Sequence, residues 1–148
     1  MSIVVKLYGL TARDVIKQTG AAVDLLGANP TKISLHTLTY APNRDTDDFF
    51  NDATNEIAGG NGYAQQTLAG KTIVYDSASN QVRFDCNDIV FSFTGANTWL
   101  YGVVWIDTAG ASTTDPLYAL LTWDTSQTVS TTYTLVIDPA GLLYWDTT

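Results

Sequence analysis

The sequence predicts an antiparallel β-fold, a sandwich or a barrel, with one or two short helices in the N-terminal third. Three observations carry that prediction. From Lys71 onward, short runs rich in Val, Ile, Thr, Tyr and Trp recur at a spacing of about ten residues, and these residue types fit a pleated surface. Clusters of turn residues such as "SASN" and "TGAN" separate the runs. The acidity is almost all aspartate, with Glu56 the sole glutamate, and aspartate favours turns and helix starts over helix interiors.

The elements follow in chain order. "IVVKLYGL" (Ile3 to Leu10) reads as a first strand. "TARDVIKQTGAAVDLLGANP" has helical spacing at Val15, Ile16, Val23, Leu25 and Leu26, but Gly20 interrupts it and Gly27 with Pro30 closes it, so short helical turns are expected. "KISLHTLTY" (Lys32 to Tyr40) alternates as a strand does. In "NRDTDDFFND", Thr46 takes the place of a helix N-cap, with Asp47 and Asp48 in the first turn and Phe49, Phe50 and Ala53 on an apolar face. A short helix is expected there, ending before "GGNGY". "KTIVYD" and "QVRFDC" form a hairpin with Val82, Phe84 and Cys86 on one face. Further strands are "IVFSF", "TWLYGVVWID", "LYALLTWD", "TYTLVID" and "LLYWD". No repeat or linker divides the chain, so one β-domain over 1–148 is expected, with 1–30 as a possible N-terminal arm or helical segment.

Composition narrows the function. Charged residues make up 15% of the chain, against about 25% in ordinary globular proteins. A surface poor in charge and rich in Thr, Ser and Asn suits a protein that sits against neighbours. Fifteen acidic and seven basic residues give a formal charge of −8, which argues against nucleic acid or an anionic membrane as partner. The start "MSIVVKLYGL" has no basic region, and no apolar run reaches the ~20 residues of a membrane span. A soluble protein made in a cytoplasm is therefore expected. Cys86 is the only cysteine, which excludes an internal disulfide and a cysteine-rich zinc site.

No residue pattern demands chemistry. Asp45, Asp47 and Asp52 have some of the oxygens calcium needs, and Glu56 falls twelfth from Asp45, but Phe50 occupies the sixth place, where a tight loop requires glycine. A capped helix start accounts for the first-turn carboxylates without a metal. Asp107, Asp115, Asp124, Asp138 and Asp146 each end a strand or begin a turn. Two of them meeting at one rim would make a glycosidase pair, yet turn-capping places aspartate in the same positions. Cys86 reads as a small core residue and His36 as half-buried or interfacial. No nucleophile elbow, zinc motif or phosphate-binding glycine loop is present. No catalytic residue, metal ligand or cofactor is assigned.

Aromatic residues are the most suggestive feature. Trp99, Tyr101, Trp105, Trp123, Tyr133, Tyr144 and Trp145 crowd the second half. Strict alternation puts Trp99, Tyr101, Val103 and Trp105 on one side of their strand and Leu100, Val104 and Ile106 on the other. Core plus subunit interface is the favoured reading, with Trp99, Tyr101, Trp105, Trp123 and Trp145 as interface candidates; exposed rings would instead suit a sugar.

The order of motifs also resembles that of small virion proteins of tailed bacteriophages, over about residues 32–148. The shared line runs through Tyr40, Pro42 and Asp45; Asp52 and Glu56; Gly60, Gly62 and Tyr63; and Leu68, Val74, Tyr75 and Asp76. It continues with Asp107, Thr108 and Gly110, then Pro116 and Leu117, and Gly141 in the last hairpin. "DTAG" stands where the pattern has "DTG", and the N-terminal segment is longer. The resemblance implies a non-enzymatic capsid decoration (cement) protein, acting as a homotrimer on the major capsid protein or another virion protein. Its place would be the virion, and the host cytoplasm during assembly. A tail or fibre component, or a carbohydrate-binding β-module, is the alternative.

Overall fold

The computed structural model describes residues 3–7 and 25–146, and every structural statement below concerns those residues. Ten strands form three antiparallel sheets. They are β1 (Ile3–Leu7), β2 (Thr31–His36), β3 (Gln66–Thr67), β4 (Thr72–Asp76) and β5 (Gln81–Asp85), followed by β6 (Ile89–Ser92), β7 (Asn97–Ile106), β8 (Leu117–Val129), β9 (Thr132–Leu135) and β10 (Leu143–Asp146). The main sheet has the order β1-β8-β7-β2-β3, the second β10-β5-β4, and β6 pairs with β9 alone.

Alternation assigns the two faces of the main sheet. Ile33, Leu35, Val104, Ile106, Ala119, Leu121 and Trp123 point to one side, where Phe84, Phe91, Leu135 and Leu143 of the smaller sheets complete a sandwich-like core. Each large apolar side chain buried there contributes about 1.5–3 kcal/mol. Gly102 suits this packing, since a Cβ on it would lie 3.1 Å from the Trp123 ring, closer than ordinary contact, and 3.5 Å from Ile33.

The opposite face is covered as well. Tyr40, Ala53, Val103, Trp105, Leu117 and Leu120 form a second, smaller core, with Phe50 and Tyr101 packed against it. The cover is the loop between β2 and β3. It is fastened by backbone bonds from Phe50 N–H to the Asp115 carbonyl (2.8 Å), from Leu117 N–H to Asp48 (2.9 Å) and from Ile57 N–H to Leu35 (2.9 Å). This explains a central strand that is apolar on both sides.

The helix expected to start at Thr46 is not found. "NRDTDDFFND" contains only a 3₁₀ turn, Phe50–Asp52, and the sole other helical piece among the described residues is a second 3₁₀ turn, Ser112–Thr114. Asp52 Oδ2 accepts the N–H groups of Asp48 and Phe49, and Phe49 bridges to Pro116. Local side-chain bonds and tertiary pairing thus take the backbone groups a helix would need. The helical expectation for residues 11–24 lies outside the described residues. Ile3–Leu7 does not form a free arm, because it pairs with Ala119–Trp123 as an edge strand, and Leu25 is buried in the main core.

Candidate functional site

The most site-like constellation lies under the cover loop. Ser34 and His36 sit two residues apart on β2, hence on one face, and both are fully buried. His36 Nδ1 lies 2.8 Å from the Thr54 carbonyl oxygen, which can only accept, so Nδ1 carries the proton. Nε2 then accepts from the Ser34 hydroxyl at 2.8 Å. Burial holds the imidazole pKa below its ordinary value, against smaller opposing effects of the Thr54 carbonyl and the Glu56 charge. The ring is neutral at pH 7. Tyr40 tilts over it at 5.1 Å and Phe50 meets it edge-on at 6.4 Å. His36 is therefore a core residue, not the half-buried or interfacial one expected.

Glu56 adds a second polar layer. Its Oε1 accepts from the Tyr63 hydroxyl (2.7 Å) and from the Gln65 amide (3.0 Å). The Tyr63 oxygen in turn accepts the Leu35 N–H at 2.9 Å. Burial, then the Glu56 charge, pushes the Tyr63 hydroxyl pKa far up, so it remains a donor. Ser, His and Glu thus come close without forming a catalytic site. The serine hydroxyl has no surface, and the imidazole's second nitrogen is bound to backbone rather than to a carboxylate. What the arrangement does is tie the loop to β2.

Other candidate groups have similar duties. The Cys86 thiol is buried, with its pKa pushed up to about 11, chiefly by desolvation, so it is a poor nucleophile. Asp47 accepts from Asn43 N–H (2.9 Å) and Tyr40 Oη (3.3 Å). Asp115 accepts from Thr108 N–H (2.8 Å) and Oγ1 (2.7 Å). Asp107 accepts from Ala109 N–H and pairs with Lys32 at 2.6 Å; that lysine, then the Ala109 N–H, holds its pKa below the usual carboxylate value. Asp138 accepts from Ala140 N–H at 2.7 Å. Each is the turn-capping role aspartate favours. Asp48 is raised by partial burial and by its neighbour Asp52. Among the described residues, no group of three or more His, Cys, Asp or Glu is placed to hold a metal. A groove of about 680 Å³ runs between β1 and Leu135–Leu143; Asp138 is the one ionisable residue among its walls.

The proposed interface residues fall mostly inside the molecule. Trp99 and Trp123 are fully buried in the main core, 6.4 Å apart and edge-to-face; the Trp123 indole donates to Tyr133 Oη at 2.9 Å. Trp105 is buried beneath Phe50, whose ring stacks on it at 4.0 Å. Tyr101 is half-buried beside Tyr40. Trp145 stands in β10, with its side chain outside the described part. As interface candidates Trp99, Trp105 and Trp123 are corrected, because this fold presents none of the three rings to a partner.

The packing of Phe50 against the sheet was legible in "DDFF", and its ring does stack on Trp105; that a loop of the same chain, rather than a helix or a neighbouring subunit, covers the second face of β7 was missed. No family description, curated protein or solved structure matches this chain.

Proposed function

We propose that this chain is a non-enzymatic virion structural protein that decorates and stabilises a bacteriophage capsid. One observation supports the reading most. The residues able to do chemistry are engaged internally: His36 in a loop anchor, Cys86 in the core, and aspartates such as Asp47, Asp107, Asp115 and Asp138 in turns. The exposed positions are rich in Thr, Ser and Asn, as in Thr94, Ser130, Thr132 and Thr134. The motif order adds the phage setting.

The mechanism is mass action. A protein that binds the assembled lattice, and not free subunits, stabilises the lattice by about 2.7 kcal/mol per site at a hundredfold excess over Kd. Copies cluster as a homotrimer about a local symmetry axis and bridge the major capsid subunits. Purified chain added to undecorated heads tests this. Saturable co-sedimentation with heads, absence of binding to free capsid subunits and a higher temperature of genome release are expected. No co-sedimentation at high excess refutes it. A tail or fibre role is separated by fractionating heads from tails before the binding step. The carbohydrate-module alternative draws no support from Trp99, Trp105 and Trp123, which offer no ring to stack on a sugar, and would have to rest on the exposed Tyr75.

A further inference from the structure

We infer that residues 37–56 form a hinged cover, and that acid opens this cover on an otherwise intact sandwich. The two ends of the segment lie side by side. Thr37 N–H donates to the Asn55 carbonyl (3.0 Å), Ile57 N–H donates to that of Leu35 (2.9 Å), and His36 bridges Glu56. Asn55 stands at this neck in the left-handed conformation, with φ of 57°, which asparagine tolerates. A loop with its ends pinched together can swing about the neck without pulling on the strands that flank it.

Beyond the neck the cover is held at few points. Backbone bonds cross to the sheet from Phe50 N–H to Asp115 (2.8 Å) and from Leu117 N–H to Asp48 (2.9 Å). Tyr40, Phe50 and Ala53 supply its share of the small second core. β7 beneath it is paired along its length with β2 and β8, and its other face lies in the main core. Segments with few bonds and little buried surface open first.

Two buried polar groups weigh against closure. The indole N–H of Trp105, beneath Phe50, is buried with no hydrogen-bond partner among the described residues, and an unpaired buried donor is unfavourable. The His36 ring is wholly buried at the neck, where charging it away from water is costly. Opening gives both groups to solvent. The face uncovered is that of Tyr101, Trp105, Leu117 and Leu120.

The direction of the pH effect follows from what surrounds the ring. β2 contributes Ser34, β7 contributes Tyr101 directly across from His36, and the cover contributes Tyr40, Phe50, Thr54 and Glu56. The Glu56 charge favours an imidazolium, but desolvation outweighs it and holds the closed-state pKa below 6.5. In the open state the ring meets water and titrates near its ordinary value of about 6.5. Below that pH the open state binds more protons than the closed one, so acid shifts the equilibrium towards opening, by at most about tenfold per pH unit. Asp48 acts in the opposite sense, since partial burial and its neighbour Asp52 raise its pKa. Its contribution does not depend on His36, so a variant at His36 separates the two.

Amide hydrogen exchange of the full chain, followed by NMR from pH 7 to pH 5 and corrected for the pH dependence of chemical exchange, is the test. The Phe50 and Leu117 amides report on the cover, because each bonds across it. Their protection is expected to fall by up to about tenfold per pH unit below pH 6.5, while that of the β7–β8 ladder holds. In His36→Gln, folded as shown by wild-type ladder protection at pH 7, the loss at Phe50 and Leu117 is expected to vanish. Should that variant fail to fold, the comparison of cover with ladder in the wild-type chain decides alone. Protection at Phe50 and Leu117 that is unchanged at pH 5, or that falls in step with the ladder, overturns the inference. So does a folded His36→Gln that keeps the wild-type slope. None of these outcomes bears on the decoration reading, on which this inference does not rest.

Discussion

Replacing Phe50 by alanine probes the covered face most sharply. The Phe50 ring stacks on Trp105 at 4.0 Å with 13° between planes and meets His36 edge-on. Truncating a fully buried Phe costs about 3–5 kcal/mol. Phe50 is only half-buried, which scales the cost to roughly 2 kcal/mol, and the lost aromatic pair adds about 0.5–1 kcal/mol. A loss of about 2.5 kcal/mol follows. With a urea m-value of about 2 kcal/mol per molar, the unfolding midpoint should drop by about 1.2 M with m unchanged. Urea denaturation followed by tryptophan fluorescence reads this directly. A drop below about 0.3 M would mean that the loop does not pack on Trp105, and the second core would fall with it.

Three further predictions follow from the same geometry. Gly102→Ala places a methyl 3.1 Å from the Trp123 ring, so a loss of about 1–3 kcal/mol and a changed near-ultraviolet dichroism are expected; a neutral effect on thermal unfolding would show that Trp123 does not occupy that space. His36 has a folded pKa below its ordinary value of 6.5, so below pH 6.5 the unfolded chain binds a proton that the folded chain resists. Stability should therefore fall as pH drops from 6.5 towards the folded pKa, by at most about 1.4 kcal/mol per pH unit. His36→Gln should flatten that slope between pH 6.5 and 5, while the loss owed to Asp76 and Asp107, whose folded pKa values are lowered, begins nearer pH 4; an unchanged slope contradicts the assignment. Calcium at about 1 mM should leave the melting temperature unmoved, because Asp47 and Asp52 are committed to local N–H groups; a rise of several degrees would establish a metal site.

The strands were the legible part of the sequence. In the Thr72–Cys86 hairpin, alternation placed Val82, Phe84 and Cys86 on one face; Phe84 and Cys86 are buried and Val82 is half-buried. Where strict period two breaks, the reading broke with it. Trp99 was assigned to the side of Tyr101 and Trp105, but the register shift between Trp99 and Tyr101 turns it into the main core beside Trp123. Bulges leave no mark in composition. The second half of β8 was missed because "TSQTV" reads as loop until Asn97–Trp99 pairs with Gln127–Val129. The helix expected in "NRDTDDFFND" shows the same limit, since the 3₁₀ turn begins after Phe49 and not after Thr46, and Phe49 bridges Pro116. His36 carried no sequence signal for full burial, as its partners Thr54 and Ser34 lie on a folded-back loop and on its own strand.

Whether this chain belongs to a particle is tested most directly by quantitative mass spectrometry of purified virions from the lysate of a host that carries it. The expected result is many copies per particle, in a fixed ratio to the major capsid subunit that suits one trimer at each local symmetry axis. Recovery of the chain only in the soluble fraction, with none in purified particles, would contradict it.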